Sequence, residues 1–239
     1  MMRNPLALFR YLSANLPINF PDILLKELKR LHKETSRPLN ILDLGAGPGR
    51  YWQEKKLSTF LSSSGSKVTL FDASVEFNSE TFPKGVLIKR VLGVVPQDLR
   101  IIRDDEFDFV VAIDLIEHLE KSQGFLLLYE IDRISRGASA VMTPNGFVWQ
   151  PPSLNNTFNA HISGWHPKEL SNLGWKAQRS QIGVKQLYEA YGLQKYKKDN
   201  QIFLEAISLL KIITFYLPSV GFSFIAIKRT KNPRIKEHL

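Results

Sequence analysis

Three ionisable side chains have the spacing most suggestive of chemistry in this sequence. Asp114, Glu117 and His118 follow an apolar run at positions i, i+3 and i+4. On a helix this spacing gathers the side chains near one face. Two carboxylates and an imidazole suit a hard divalent cation, and an imidazole also serves as a general base near neutral pH. The same residues could simply cap the start of a helix, so both interpretations stay open.

A glycine-rich turn comes earlier in the chain. The apolar run that starts at Leu39 leads into Gly45, Gly47 and Gly49. Glycine is needed where the backbone takes angles closed to other residues, or where it lies directly against a ligand. A dinucleotide fingerprint would place a pyrophosphate here, but the third glycine comes one residue early. Asp43 would also repel a phosphate, so the turn favours a ligand with a cationic amino group.

Asp72 ends the next predicted strand, residues 67–72. In βαβ cofactor folds an acid at this position accepts hydrogen bonds from ribose hydroxyls. The alternative is a surface acid that caps the following helix. The sequence therefore predicts two halves of one cofactor cleft, the glycine turn and Asp72.

The run Asp43-Leu44-Gly45-Ala46-Gly47-Pro48-Gly49 resembles the first motif of the class I S-adenosylmethionine-dependent methyltransferases. Asp72 resembles their second motif, and the stretch from Thr143-Pro144-Asn145-Gly146 to Trp165 resembles the branch with Glu-His after strand four. The resemblance covers about residues 39–181. It implies an α/β Rossmann-like sandwich with a mostly parallel seven-stranded sheet whose last strand is antiparallel. The cofactor-binding residues that it implies are Asp43, Gly45, Ala46, Gly47, Gly49, Asp72, Ala73 and Asp114.

The resemblance also bears on the reaction. Similar Asp/Glu-x-x-Glu-His clusters occur in branches that methylate small-molecule hydroxyls and in small-RNA 2′-hydroxyl methyltransferases, where a second histidine after strand five completes a divalent metal site. His161 lies at a comparable place. The implied catalytic residues are Glu117, His118 and His161, and the implied ligands of Mg²⁺ or Mn²⁺ are Asp114, Glu117, His118 and His161. The family's acid for the adenine amino group has no clear equivalent, which leaves Asp98 or a backbone carbonyl.

The predicted elements must bring these residues to one edge of the sheet. Apolar spacing and β-rich runs predict helices and strands between turn signals. The predicted strands are 40–44, 67–72, 86–91, 107–114, 138–143, 175–182 and 219–227, and the predicted helices are 21–33, 51–61, 115–135 and 168–173. We expect an N-terminal helical segment, 1–36, and one methyltransferase domain, 37–239, with a helical lid insertion at 184–217.

Composition narrows the class of protein. The 239 residues are 44% hydrophobic and contain no cysteine, which excludes disulfides and thiolate metal sites. The first 17 residues lack an unbroken apolar core of signal-peptide length, so we expect a cytoplasmic protein. The uncharged run 212–227 is too short for a span of about 20 residues and is interrupted by Pro218 and Gly221. This run favours a buried helix end and a core strand, with membrane-surface contact as the alternative.

The expected activity is transfer of a methyl group from S-adenosylmethionine to an oxygen of a small or lipid-like acceptor, with nitrogen as the second choice. The alternatives are a metal-assisted RNA 2′-hydroxyl methyltransferase and a nucleic-acid-binding protein, since the net charge is +9. No RNA-binding module is visible in the sequence, and its basic residues are not interleaved with aromatics in one early arm. The expected partner is therefore a small-molecule acceptor.

Overall fold

The computed structural model describes residues 20–74, 82–152, 157–181 and 223–230. The predicted lid, 184–217, and the first part of the N-terminal segment, 1–19, lie outside the described residues. The boundary at residue 36 and the lid therefore stay predictions.

A seven-stranded sheet forms the centre of the molecule, in the order β3-β2-β1-β4-β5-β7-β6. The first five strands are parallel, and β7 runs antiparallel to its neighbours β5 and β6. This arrangement confirms the predicted Rossmann-like fold. The strands are β1 (Asn40–Leu44), β2 (Lys67–Asp72), β3 (Leu87–Leu92), β4 (Phe107–Ile113), β5 (Ser135–Pro144), β6 (Lys176–Gln181) and β7 (Ser223–Arg229).

Helices cover both faces of the sheet. Those described are α1 (Phe20–Thr35), α2 (Lys55–Ser64), α3 (Lys121–Ile134) and α4 (Pro167–Asn172), and short 3₁₀ helices are formed by Arg50–Gln53, Gln97–Ile101, Ile116–His118 and Thr157–Asn159. The predicted α1 and α4 are confirmed within two residues at each end.

The prediction of one helix from Leu115 to Ser135 was wrong. Asp114 has a left-handed φ of 46° and Leu119 is extended, so the chain makes one 3₁₀ turn before α3 begins. The i, i+3, i+4 argument assumed an α-helical turn, and it does not apply to Asp114. Any proximity among these side chains must therefore come from tertiary structure.

Alternate residues of the central strand β4 serve two apolar cores. Phe109 and Val111 pack with α1 and α2 on one face, whereas Val110 and Ala112 pack with α3 and α4 on the other. A strand buried on both faces reads as a continuous apolar run because neither face contacts water. Both faces are thus covered, which leaves the carboxyl ends of the parallel strands as the place for a ligand.

Among the described residues, no helix has the length and apolar character needed to cross a membrane.

Candidate active site

The glycine turn after β1 has the backbone that its sequence requires. Gly45, Gly47 and Gly49 have φ values of 67°, 50° and 71°, in the region that favours glycine. A Cβ on Gly45 would lie 2.7 Å from a side-chain carbon of Leu115. A Cβ on Gly47 would meet nothing within 4 Å. The turn therefore has open space at Gly47, where backbone can lie directly against a ligand.

Asp72 is tied to this turn. One carboxylate oxygen accepts a 2.7 Å hydrogen bond from the Gly47 backbone N–H, and the other accepts one from the Ser74 N–H. Ala73 lies exposed beside it. The bond from residue 74 is the local turn interaction typical of aspartate, and the bond from Gly47 joins the ends of β1 and β2. Each carboxylate oxygen keeps lone pairs that can accept further hydrogen bonds, such as those from ribose hydroxyls.

Asp43 is buried at the end of β1, with 2% of its surface exposed. Its carboxylate accepts a 2.7 Å hydrogen bond from the indole N–H of Trp52. Burial raises the pKa of Asp43 to about 7, the Trp52 hydrogen bond opposes this rise, and the charge of Asp72 adds to it. A cationic group placed beside Asp43 would favour its charged form.

Tyr51 and Trp52 are site residues that sequence reasoning missed. Burial raises the pKa of Tyr51 to about 12, and the negative charges of Asp114 and Asp43 contribute. Tyr51 therefore lies in the electrostatic field of both carboxylates. The only sequence signal for Tyr51 and Trp52 was that they come shortly after the third glycine, in the Arg50–Gln53 turn.

Asp114 follows β4 and is held in a strained conformation. Its φ of 46° is uncommon for a residue other than glycine, and such strain concentrates at functional sites. The side chain is exposed, but neighbouring protein atoms partly desolvate its carboxyl group. This desolvation raises the pKa of Asp114 to about 6. The neighbouring Leu115 packs against Gly45, so the end of β4 adjoins the glycine turn.

Glu117 is the most buried acid in this part of the site. It is 2% exposed, and its Oε2 accepts a 2.9 Å hydrogen bond from the Thr143 hydroxyl. Oε1 accepts no well-formed hydrogen bond from the described residues. Burial raises the pKa of Glu117 to about 8, with a further rise from the charge of Asp114, and its own N–H and Thr143 oppose this. Sequence reasoning missed Thr143 as a partner.

His118 and His161 face each other across the end of the sheet. Their ring centroids are 4.8 Å apart at an interplanar angle of 68°. Nδ1 of His118 donates to the Ala160 carbonyl at 2.9 Å, and Nδ1 of His161 donates to the Val148 carbonyl at 2.7 Å. Because a carbonyl only accepts, these bonds place the Nδ1 proton and leave Nε2 as the lone-pair nitrogen of each neutral ring.

Ligand atoms of Glu117, His118 and His161 all lie within 4.8 Å of one another. Asp114 falls outside this cluster. One carboxylate and two imidazoles form a donor set that divalent ions accept. The unsatisfied Oε1 of Glu117 is a buried acceptor that a cation would satisfy, and the carbonyls on Nδ1 are the outer partners typical of histidine ligands. The residues present therefore fit a divalent metal.

Burial lowers the pKa of His118. The Ala160 carbonyl opposes this, and the neighbouring His161 reinforces it. A lowered pKa keeps the imidazole neutral near pH 7, the form that either a metal ligand or a general base requires.

Asp98, the candidate for adenine recognition, accepts a 2.7 Å hydrogen bond from the Val94 backbone N–H. Its carboxylate thus closes the turn after β3, which gives it a local structural task.

A family model shows the class of protein to which the chain belongs. The model, described as a methyltransferase domain, matches residues 18–178, more than half of the chain. The chain belongs to the class I S-adenosylmethionine-dependent methyltransferases.

Two curated relatives carry the name ubiquinone biosynthesis O-methyltransferase. The one from Rickettsia conorii (strain ATCC VR-613 / Malish 7) is 27% identical over 147 residues, 59% of this chain and 47% of the relative. The one from Rickettsia canadensis (strain McKiel) is 27% identical over 156 residues, 63% of this chain and 61% of the relative. The chain thus covers less than two thirds of the length of either relative.

Solved structures with a similar backbone include a SAM-dependent methyltransferase from Archaeoglobus fulgidus, with 18% identity, a TM-score of 0.49, and coverage of 95% of this chain and 100% of that one. Another is a Burkholderia thailandensis 1,6-didemethyltoxoflavin-N1-methyltransferase, with 17% identity, a TM-score of 0.46, and coverage of 87% and 77%. At these levels of similarity the structures bear on neither substrate nor mechanism.

Proposed function

We propose that this enzyme methylates a hydroxyl oxygen of a small-molecule acceptor beside Glu117, His118 and His161. The observation that carries the proposal is the convergence of these three side chains within 4.8 Å, at the sheet edge that also holds the glycine turn. The names of the two curated relatives support oxygen as the methylated atom.

The cofactor-binding role falls to the residues around the glycine turn. Gly47 offers open space, Asp72 offers acceptor lone pairs for the ribose, and Asp43 offers a buried negative charge for the amino group. Gly45, Ala46 and Gly49 complete the glycine turn, Ala73 follows Asp72, and Asp114 follows β4, whose end adjoins the turn through Leu115. The cofactor's sulfonium supplies the electrophilic methyl group, so the protein must orient the acceptor and help to remove its proton.

Two roles are open to the Glu117–His118–His161 cluster. In the first, Nε2 of His118 or His161 takes the acceptor's proton directly. In the second, the three residues hold a divalent ion such as Mg²⁺ or Mn²⁺, which would lower the pKa of the acceptor hydroxyl. The buried, unsatisfied Oε1 of Glu117 supports the second role, because a lone buried acceptor is costly without a partner.

The acceptor that these surroundings suit has an apolar part. The segment that carries His161 exposes large apolar side chains, and so does the stretch 147–150, which hydrogen bonds to that segment through Gln150. They are Phe147 (57% exposed), Trp149 (75%), Phe158 (63%) and Ile162 (48%). Exposed apolar side chains grouped in this way typically mark a binding surface. A small aromatic or lipid-like hydroxyl compound would cover them.

Metal-assisted methylation of an RNA 2′-hydroxyl rests on the same Glu-His cluster. No feature of the described residues favours RNA or general nucleic-acid binding over a small acceptor. None assigns the exposed apolar side chains near His161 to a membrane surface. The small-molecule hydroxyl therefore stands as the proposed acceptor.

The decisive experiment incubates the purified protein with labelled S-adenosylmethionine and a metabolite extract, then identifies the labelled product. We expect a methyl ether whose formation is lost in His161→Asn. The matched control is His32→Asn, which alters a histidine of α1 whose ring contacts Phe60. Chelation with EDTA followed by addition of Mn²⁺ separates the two roles, since turnover that survives chelation leaves only the histidine base. Product labelled on nitrogen, or no product from any extract, would overturn the proposal.

A further inference from the structure

The two histidines of the site come from distant parts of the chain, and hydrogen bonds join the segments that carry them. The backbone N–H groups of Ile162 and Ser163 both donate to the Glu117 carbonyl, at 2.9 and 3.1 Å. In the opposite direction, the His118 ring donates to the Ala160 carbonyl. The loop with His161 is thus held directly against the turn with Glu117 and His118.

Trp165 anchors the end of this loop. Its side chain is fully buried, and its indole N–H lies 3.3 Å from the Ile116 carbonyl and 3.0 Å from the Ser163 hydroxyl. Its backbone carbonyl accepts a 2.7 Å hydrogen bond from Gly146, just after β5. The residue therefore contacts the segment that follows β5 and the turn before α3.

Lys121 is the first residue of α3, three positions after His118. Its ammonium group lies 3.7 Å from the centroid of the Trp165 ring. It also donates to the Gly164 carbonyl and pairs with a Glu169 carboxylate oxygen at 2.9 Å. One cation thus makes three contacts with the chain segment that follows His161, through a ring face, a carbonyl and a carboxylate.

The indole of Trp165 packs tightly against α3. A Cβ on Gly124, one turn along α3 from Lys121, would lie 2.3 Å from Cζ2 of Trp165. The ring therefore lies directly on the helix backbone, so a shift of the ring is a shift of the loop relative to α3.

We infer that Lys121 and Trp165 are positioning residues that set the separation of His161 from Glu117 and His118. Neither residue belongs to the metal-ligand cluster, so each acts through the histidine loop. The inference rests on the proposed function for its chemical consequence, because the cluster binds a metal or holds an acceptor only while its three members stay together.

The test compares Lys121→Met, Lys121→Arg and Lys168→Met with the wild type. Methionine keeps an unbranched stem and removes the cation, and arginine keeps the cation. Lys168 is an exposed lysine of α4, so its replacement controls for the loss of one positive charge. The first readout is the nuclear Overhauser effect between the rings of His118 and His161, measured with labelled histidine and assigned through His118→Asn and His161→Asn. The second is Mn²⁺ affinity from calorimetry, and S-adenosylhomocysteine affinity reports an intact fold.

In Lys121→Met we expect the ring-to-ring effect to disappear and Mn²⁺ affinity to fall about tenfold, with S-adenosylhomocysteine affinity unchanged within about twofold. Lys121→Arg should restore both readouts. Loss of a positive charge by itself favours cation binding. Weaker Mn²⁺ binding in Lys121→Met would therefore show that His161 has moved relative to Glu117 and His118. Trp165→Phe, which keeps an aromatic ring but removes the indole N–H, should weaken the ring-to-ring effect.

An unchanged ring-to-ring effect in Lys121→Met, with S-adenosylhomocysteine still bound, would overturn the inference. Equal changes in Lys168→Met would overturn it too, because they would assign the result to charge alone. If the wild type binds no Mn²⁺, the metal role in the proposed function fails, and the ring-to-ring effect still decides the positioning role.

Discussion

Buried carboxylates at the two ends of the sheet have different partners, and their pKa values shift in opposite directions. At the amino end, Asp108 is 2% exposed and accepts hydrogen bonds from Arg37, Arg136 and the Asn40 N–H. Burial alone would raise the pKa of Asp108, but these partners outweigh it and hold the pKa below its usual value. Arg30 and Arg229 likewise outweigh burial and lower the pKa of Glu27.

At the carboxyl end, the buried acids have no arginine or lysine among the partners that shift them. The pKa of Asp43 rises to about 7 and that of Glu117 to about 8, because burial dominates. A buried carboxylate without a cation is costly unless it is protonated or finds a ligand. The difference separates acids that are paired with arginines from acids that have no cation among these partners, and the second group supports the proposed site.

The amino end should show the largest stability effect. Asp108→Ala removes a carboxylate that serves two arginines, both partly exposed and able to regain water. We expect a loss of about 2 to 4 kcal/mol of unfolding free energy, below the full cost of breaking a wholly buried pair. Urea denaturation measures it. The control is Glu34→Ala, which breaks the exposed Arg30–Glu34 pair and should cost under about 0.5 kcal/mol. Similar losses in the two variants would contradict the comparison.

At alkaline pH, Glu117→Gln should raise the free energy of unfolding relative to the wild type, whereas Asp108→Ala lowers it. A carboxyl group whose folded pKa is raised contributes stability that is present at low pH and lost as the pH rises through about 8. The wild type should therefore lose about 1 to 3 kcal/mol relative to Glu117→Gln between pH 6 and pH 9. Thermal or urea unfolding across this range, with Mn²⁺ removed, provides the measurement. Parallel stability curves for the two proteins would show that Glu117 is already ionised in the fold.

The glycine turn offers a matched pair of substitutions. Gly47 and Gly65 both have positive φ, 50° and 65°, and a Cβ on either has room, but Gly65 ends α2 at the opposite end of the sheet. Gly47→Ala and Gly65→Ala should each cost about 1 kcal/mol of stability from backbone strain. Only Gly47→Ala should weaken S-adenosylhomocysteine binding, by about tenfold, in calorimetry. Equal affinities in the two variants would remove Gly47 from the cofactor site.

The smallest effect concerns the pH dependence of cofactor binding. Asp43 becomes ionised as the pH rises through about 7, and its charged form attracts a cationic amino group. The affinity for S-adenosylhomocysteine should therefore rise a few-fold between pH 6 and pH 8. Asp43→Asn should bind more weakly at pH 8 and show a flat profile. A rise of equal size in Asp43→Asn would assign the titration to another group.

Local patterns were enough to predict most of the sheet. The continuous apolar run of β4 and the glycine spacing after β1 each depend on residues close in sequence, and both occur where they were predicted. The prediction of a helix directly after β4 was wrong for a physical reason. Its residues favour a helix, but the strained backbone at Asp114 and the extended Leu119 are held by surrounding packing that local propensity does not register.

The sequence by itself determined the order of strands and turns and the residue types offered at the carboxyl edge, because glycine conformations and apolar periodicity are local properties. No local pattern shows whether His161 lies beside His118: the family resemblance implied it, and the tertiary structure shows it, with hydrogen bonds joining the two segments. The tertiary structure also decided which acids stay without a cation. Arg37 and Arg136 are far apart in sequence and meet Asp108 only when β1, β4 and β5 pair, so no short stretch of residues contains that information.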